Sequence, residues 1–275
     1  AKLSYLKVLP GLRKVIKNHQ PDLLHAHYAA GYGFIGALSR FRPFMVSAWG
    51  SDVISFPRIS PLHRWMIQWV LRRADKVLST SHYMARHISR LSDVQPEVTP
   101  FGIDTDIFRK QGTRRDNGEI ILGSVKNLKP EYSLQNVLMT FRKLREMMPD
   151  QPLRLILVGD GPERGRLEQM SRDMQISSQV TFYGYQPYQM IAEYHNMLDI
   201  YINLPRVESF GVSVLEASAC ERPVVTHDTG GLPEVVSHGV TGYLVEKDNI
   251  DQAARAVREL ILDKDLRCRM GNNGR

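Results

Sequence analysis

The sequence predicts an α/β protein built from two doubly wound, parallel-sheet domains. Short apolar segments of strand length alternate along the whole chain with longer segments of helical periodicity. Such alternation is typical of parallel sheets covered by helices. A polar stretch without periodicity, residues 104–118, interrupts the alternation, and we predict that it links domains at 1–103 and 119–275.

The first half alternates between the two kinds of segment from its beginning. Apolar residues at helical spacing predict an initial helix, which Pro10 is able to bend. The strands that follow are predicted at 22–25, 44–48, 76–80 and 98–100, and the helices at 29–40, 61–74 and 81–91. Because the alternation begins inside a unit and stops soon after a helix, we expect a fragment. It would lack the first part of the N-terminal domain and the C-terminal end.

The second half repeats the alternation, with glycine-rich turns after its strands. Strands are predicted at 120–125, 153–158, 180–182, 199–203, 223–226 and 242–245, and helices at 134–147, 187–196 and 250–262. The strand 153–158 ends in a Gly-Asp-Gly-Pro turn, and a further helix then extends to Met174. In open parallel sheets ligands bind beyond the carboxyl ends of the strands, so functional residues are expected in these turns.

Residues 204–231 contain the most informative pattern of the chain. Glu208 and Glu216 lie eight apart around a Phe-Gly-Val turn, and a Gly-Gly pair follows the next strand. A helix that begins at this turn would present free backbone N–H groups to an anion, and Gly211 allows a phosphate to come close. A pair of glutamates eight apart also occurs by chance on surface helices, so the pattern alone is weak.

Composition excludes several classes of protein. The chain has 43% hydrophobic and 24% charged residues, which is globular composition, and it has no run of 18 apolar residues. Cys220 and Cys268 lie in helix-like segments and form no disulfide framework, which favours a reducing, cytoplasmic setting.

The net charge of +7 is unevenly distributed. Residues 1–118 carry a balance of +10, whereas residues 119–275 carry −3. A basic first half favours an anionic partner such as a membrane surface, although a diffuse solvated surface explains the same pattern. Nucleic acid is not expected, because the basic residues are not interleaved with aromatic residues as in a known binding module.

In its motifs the chain resembles the retaining, sugar-nucleotide-dependent glycosyltransferases of family 4, whose GT-B fold consists of two Rossmann-like domains facing across a cleft. The resemblance extends over essentially the whole chain. It is carried by the segments DLLHAHY at 22–28, WGSD at 49–52, PFGIDTDIF at 100–108, VGDGP at 158–162, the E-x7-E pair, GG at 230–231 and TGYLV at 241–245.

The resemblance implies a role for each residue of a donor site. Glu208 would contact hydroxyls of the donor sugar, and Glu216 would hold the ribose hydroxyls. The backbone of Phe210, Gly211 and Val212 is implied to bind the sugar and the diphosphate. Gly159, Asp160 and Gly161 would line the nucleotide side, and the backbone of Tyr183, Gly184 and Tyr185 would contact the base.

The match is imperfect where the family places an Arg and a Lys on the diphosphate. Residues 123–124 read Gly-Ser where the family has Gly-Arg, and residues 132–133 read Tyr-Ser where it has Lys-Gly. A cation is required there because the leaving nucleoside diphosphate gains charge. We therefore predict that Lys126 and Lys129 supply it. The alternative is that both are ordinary loop charges.

The acceptor side is implied to lie in the first half. The family often has His in the turn at 49–52, where Trp49 stands. Trp49, Gly50 and Asp52 are expected on the acceptor side, and Gly50 and Asp52 are expected to face the cleft. The alternative is that Asp52 only caps the turn. His27 is expected on the same side, two residues after His25. No metal is expected, since two histidines alone make a poor zinc site.

Together these features predict a retaining hexosyltransferase that uses a UDP- or GDP-sugar and neither a cofactor nor a metal. The resemblance favours a saccharide or lipid-linked acceptor in bacterial surface polysaccharide or glycolipid synthesis. The basic first half adds the expectation of a peripheral contact with the inner face of the membrane. Two alternatives stay open: a sugar-nucleotide epimerase of the same fold, and a non-catalytic component that binds nucleotide sugars.

Overall fold

The computed structural model describes residues 3–112 and 118–275. The chain forms two compact units, Ala1–Phe101 and Gly102–Arg275. The predicted linker at 104–118 begins within the second of these units, and its residues 113–117 lie outside the described residues. Each unit is an α/β structure with a parallel sheet, so the predicted fold class is confirmed.

The first unit contains a four-stranded parallel sheet in the order β1-β2-β3-β4. Its strands are β1 Leu24–His27, β2 Phe44–Ala48, β3 Lys76–Ser79 and β4 Glu97–Val98. Its helices are α1 Leu9–His19, α2 Tyr32–Ser39, α3 Ser51–Ile54, α4 Pro61–Arg73 and α5 His82–Ser92. Pro10 lies in the first turn of α1, where its missing N–H costs nothing, so it starts this helix rather than bending it.

The second unit contains a six-stranded sheet in the order β10-β9-β8-β5-β6-β7, with every pair parallel. Its strands are β5 Ile120–Val125, β6 Leu153–Val158, β7 Val180–Gly184, β8 Ile200–Asn203, β9 Val224–His227 and β10 Gly242–Val245. Its helices are α6 Leu134–Met147, α7 Arg164–Asp173, α8 Ile191–Met197, α9 Val212–Ala219, α10 Ile250–Leu262 and α11 Lys264–Gly274.

The strand order of the second unit reverses between β5 and β8. The chain adds β6 and β7 on one side of β5, then returns to place β8, β9 and β10 on the other. Loops that leave β5 and β8 therefore diverge to opposite faces and open a crevice at the carboxyl ends of these strands, the usual ligand position in such folds.

Helices cover both faces of this sheet and bury it. On one face α6 presents Val137, Phe141 and Leu144 at helical spacing, and all three are fully buried. On the other face Val214 and Ala217 of α9 pack with the buried side chain of Tyr201. Removal of a side chain such as that of Phe141 would cost about 3–5 kcal/mol, so the sheet is a rigid support for its terminal loops.

Candidate functional site

The carboxyl ends of β5 and β6, the segment after β7 and the start of α9 surround an open pocket of about 280 Å³ in the second unit. It brings together the turn after β5, the turn after β6, the segment after β7 and the first two turns of α9. The lining residues are Val125, Lys126, Asn127, Tyr132, Val158, Gly159, Tyr185, Gln186, Ile191, Val212, Ser213 and Glu216.

Lys126 and Glu208 form a largely buried ion pair at this pocket. Lys126 Nζ lies 2.5 Å from Glu208 Oε2, 3.4 Å from Ser213 Oγ and 4.5 Å from the centre of the Tyr132 ring. Burial alone would lower the pKa of Lys126, but the negative charge of Glu208 outweighs it and raises this pKa above its ordinary value. The lysine is therefore a permanent cation.

The turn after β6 holds the backbone of Lys126 in place. Lys126 N–H donates to the Val158 carbonyl at 2.8 Å. Gly159 adopts φ +127°, and a Cβ there would lie 2.1 Å from the Lys126 carbonyl oxygen. Gly161 packs equally closely against the backbone of Leu128, two residues after Lys126, since a Cβ on Gly161 would lie 2.4 Å from the Leu128 carbonyl oxygen. Both glycines are thus required for close packing of the two turns.

The Gly-Gly turn after β9 holds the Glu208 loop in the same way. Gly231 N–H donates to the Glu208 carbonyl at 2.9 Å. Gly230 has φ +63°, and a Cβ there would lie 1.9 Å from that carbonyl oxygen. The side chain is fixed as well, because Glu208 Oε1 accepts from the Ser209 N–H at 3.2 Å while Oε2 accepts from Lys126.

Helix α9 begins at the predicted turn. Gly211 is its N-cap with φ +114°, and no side chain caps the helix. The first N–H to bond within this turn is that of Val214, which donates to the Gly211 carbonyl at 2.9 Å. The N–H groups of Val212 and Ser213 precede it in residues that line the pocket, which is the usual position of an anion at a helix start. Phe210 is buried and anchors the turn.

Glu216 lies one turn further along α9, with its side chain 10% exposed. Its Oε2 is 3.5 Å from Nε2 of His195, a fully buried residue of α8. Burial lowers the pKa of His195, an effect that the Glu216 charge only partly offsets, so the imidazole is neutral at neutral pH.

The segment after β7 contributes at the rim of the pocket. Tyr185 lines it with 75% of its surface exposed, whereas Tyr183 packs against Tyr194 with ring centres 5.0 Å apart. Gly184 accepts the Gly159 N–H at 2.8 Å. Asp160 pairs with Arg164 at 3.1 Å, and its carboxylate also caps its own turn.

The structure separates the two predicted lysines. Lys126 lines the pocket, whereas Lys129 is exposed, lies outside the lining and precedes the short 3-10 turn Pro130–Tyr132. Of the two, only Lys126 has the burial and the acidic partner of a preorganised cation.

Asp52 in the first unit caps its turn, which is one of the two roles that the sequence left open. Its carboxylate is fully buried and accepts backbone N–H groups from Ala29 at 2.6 Å, Gly50 at 2.9 Å and Trp49 at 3.1 Å. These bonds tie the turn after β1 to the turn after β2. Gly50, at φ +121°, provides the backbone conformation that this cap requires.

The other predicted acceptor-side residues form an aromatic cluster at the end of β1. The Trp49 ring is 47% exposed and lies 5.8 Å from the His27 ring. The rings of His25 and His27 are 4.1 Å apart, and His25 Nε2 bonds Ser47 Oγ at 2.8 Å. Among the described residues no group of three or more His, Cys, Asp or Glu side chains is placed to hold a metal.

Sequence reasoning missed two residues: Ser213, which lines the pocket, and His195, which contacts Glu216 from behind it. Ser213 directly follows the predicted turn and reaches Lys126 because it is on the first turn of α9. His195 carries no motif, and only the packing of α8 against α9 reveals it.

The fold and the pocket define an α/β protein with two parallel-sheet units and a candidate site at the switch point of the second sheet. The family described as "Glycosyl transferases group 1" matches residues 105–275, and the family described as "Glycosyl transferase 4-like" matches residues 1–81. The chain belongs to the group 1 glycosyl transferases.

Individual relatives agree with this assignment. The chain is similar to the N-acetyl-alpha-D-glucosaminyl L-malate synthase of Bacillus anthracis, with 28% identity over 96% of this chain and 71% of the relative. It is also 28% identical to a GDP-mannose-dependent alpha-(1-6)-phosphatidylinositol monomannoside mannosyltransferase of Mycolicibacterium smegmatis, over 96% of this chain and 73% of the relative.

A solved structure shares the fold. The Anabaena protein HepE, determined in complex with UDP and glucose, superposes with a TM-score of 0.85 at 21% identity, over all of this chain and 77% of that one.

None of the described helices is long and apolar enough to cross a membrane.

Proposed function

We propose that this protein is a retaining, metal-independent glycosyltransferase that moves a hexosyl unit from a UDP- or GDP-sugar to an acceptor hydroxyl. One observation carries the proposal: Lys126 and Glu216 line the switch-point pocket at the start of α9, and Glu208 lies beside it, paired with Lys126. A cation, a helix N-terminus and two carboxylates are what a sugar diphosphate with hydroxyls at both ends requires.

Each group has a distinct role in this proposal. Lys126 and the N–H groups of the turn before Ser213 bind the diphosphate, and Glu208 binds sugar hydroxyls. Glu216 binds the ribose hydroxyls, and Tyr185 lies beside the base. As the glycosidic bond breaks, negative charge grows on the diphosphate. Lys126 is already oriented by Glu208, so it stabilises that charge without reorganisation.

Attack from the same face as the leaving group fits these contacts better than a covalent intermediate. Both carboxylate oxygens of Glu208 are engaged, by Lys126 and by the Ser209 N–H, which makes Glu208 a poor nucleophile. In the proposed step the acceptor oxygen bonds to the anomeric carbon, the carbon–phosphate oxygen bond breaks, and the leaving phosphate takes the acceptor proton. The protein contributes positioning and charge.

For the acceptor we propose a saccharide or a lipid-linked sugar in the synthesis of a bacterial surface polysaccharide or glycolipid. The name of the mycobacterial relative, a phosphatidylinositol mannoside mannosyltransferase, supports a lipid-linked acceptor. The +10 balance of residues 1–118 supports contact with an anionic membrane surface.

The test is turnover of UDP- and GDP-sugars with and without a panel of such acceptors. Nucleoside diphosphate release that depends on acceptor supports transfer, and the anomeric coupling of the product by NMR tests retention. Sugar interconversion without acceptor would indicate the epimerase, and binding without turnover a non-catalytic component. Activity that EDTA abolishes would contradict metal independence.

Variants test the assignment of the site. Glu208→Ala should lower turnover by at least about a hundredfold, since it removes a sugar contact and frees Lys126. Glu193→Ala removes an exposed carboxylate from α8 and should leave turnover unchanged. Near-normal turnover of Glu208→Ala would refute the assignment.

A further inference from the structure

Glu216 is the carboxylate among the described lining residues of the pocket, and it has fewer partners than Glu208 beside it. Both oxygens of Glu208 are engaged, whereas the only group that lies within ion-pair distance of Glu216, among the residues that the structure describes, is His195. Glu216 is nevertheless only 7% exposed. A buried carboxylate with so few donors is poorly compensated until a ligand supplies more.

His195 is equally unusual. It is fully buried on α8, between the rings of Tyr201 at 5.4 Å and Phe108 at 6.2 Å. Within the described part of the chain neither ring nitrogen makes a hydrogen bond of normal geometry. Buried polar groups without partners are uncommon and usually have a reason.

We infer that His195 is a positioning residue, which orients the Glu216 carboxylate toward the two hydroxyls of a nucleotide ribose. The inference rests on the proposed function and adds to it a residue that carries no motif. The tautomer with its proton on Nε2 is the one that donates toward Glu216 Oε2, now 3.5 Å away.

The geometry explains how such a contact would act. Glu216 lines the pocket and His195 does not, so the imidazole approaches the carboxylate from the protein side. An N–H that holds one oxygen stops rotation of the carboxylate and leaves its remaining lone pairs directed at the pocket. Two adjacent hydroxyls would then meet a fixed pair of acceptors. An apolar residue in place of His195 would leave the carboxylate free to rotate.

Two charged groups act on the pKa of His195: Glu216 of α9 raises it, and Arg222, in the turn after α9, lowers it. The ring of Tyr201 packs against the imidazole from β8. Burial lowers the pKa of His195, so the ring keeps one N–H and adds no charge that would compete with the diphosphate. The proposed effect of His195 is to orient the Glu216 carboxylate, and it should be measurable as a preference for ribose over deoxyribose.

The test compares the affinities of UDP and 2′-deoxy-UDP, measured by calorimetry on the full chain, with GDP and 2′-deoxy-GDP if guanine is preferred. The wild-type protein should prefer the ribonucleotide by about tenfold to a hundredfold, the usual value of hydrogen bonds to a charged group. His195→Leu should reduce this preference to within about threefold and leave 2′-deoxy-UDP affinity nearly unchanged. His195→Gln, which keeps a donor, should restore much of it.

Asn196→Ala is the matched control on the same helix. This substitution removes the hydrogen bonds between Asn196 and the backbone of residues 109 and 111. It removes no donor to Glu216, so the preference for UDP over 2′-deoxy-UDP should be kept. His195→Met replaces the leucine variant if that variant does not fold.

The remaining outcomes overturn the inference. An undiminished preference in His195→Leu would do so, as would an equal loss of both affinities, which is what a merely structural role predicts. If the wild-type protein bound UDP and 2′-deoxy-UDP equally well, the assignment of Glu216 to the ribose hydroxyls would be refuted. One that binds neither nucleotide would refute the proposed function itself.

Discussion

Replacing Lys126 by Met should destabilise the protein strongly, because it leaves Glu208 buried without its cation. The two side chains are 11% and 10% exposed, and their charged atoms are 2.5 Å apart. Loss of one partner from a pair buried to this degree costs about 3–5 kcal/mol. For a domain of this size 1 kcal/mol shifts Tm by about 2–4 °C, so Tm should fall by about 6–20 °C.

Removal of both charges should be much less harmful than removal of one. In Lys126→Met/Glu208→Gln no buried charge remains, and the attraction of the pair is lost together with its desolvation cost. The double variant should therefore be no less stable than either single variant, so the coupling free energy should be at least about 3 kcal/mol. Urea unfolding followed by circular dichroism measures all four members of the cycle.

An exposed pair provides the control. Lys143→Met breaks the contact of Lys143 with Asp251, whose side chains are 43% and 63% exposed, and should cost less than about 1 kcal/mol. The reasoning fails if Lys126→Met is no more harmful than Lys143→Met. It also fails if the double variant loses as much stability as the two single variants added together.

Three further predictions concern backbone, pH and the first unit. Gly230→Ala should lower the free energy of unfolding by more than about 2 kcal/mol and weaken UDP binding, because its Cβ would lie 1.9 Å from the Glu208 carbonyl oxygen. The control Gly239→Ala, at φ +76° but with open space around the Cβ, should lower it by only about 1 kcal/mol, both measured by urea unfolding. Because the folded pKa of His195 is lowered, its contribution to stability is full above the unfolded value of about 6.5 and declines as pH falls below it. Wild-type Tm should therefore fall more than that of His195→Leu between pH 7.5 and 5.5, and equal slopes would contradict this. Asp52→Ala should lower Tm, since three buried N–H groups lose their acceptor, and should leave UDP affinity unchanged; a matching loss of affinity would show that the turn serves the donor.

The sequence predicted the parallel α/β fold class, which the structure confirms, because burial on both faces produces distinct apolar segments. All four residues of β8 and all four of β9 are buried, and both strands were predicted within a residue or two of their observed bounds. The first strand was misplaced by two residues. The sequence predicted 22–25, but pairing with Phe44–Ala48 sets the strand at Leu24–His27. Such register depends on a partner that is distant in sequence.

The donor-side pattern was readable because glycines mark close backbone approaches. Gly159 and Gly230 each pack against a carbonyl of the loop that carries a charged residue, and no larger residue fits without strain. The roles of these residues toward a donor remain predictions. Asp52 shows the limit of this reasoning: the pattern allows both a ligand and a cap, and only the positions of three N–H groups decide between them.

Lys126 and Lys129 could not be separated by sequence, because a lysine at a strand end and one three residues later satisfy the same motif. The distinction arises from three loops that meet at the switch point. The Gly159 turn fixes the backbone of Lys126, the Gly230 turn fixes the backbone of Glu208, and the resulting pair then buries both charges. Lys129 lies beyond these constraints and remains exposed. A buried cation without its carboxylate would be costly, so the same pair that would orient Lys126 toward a diphosphate also explains why the chain tolerates it there.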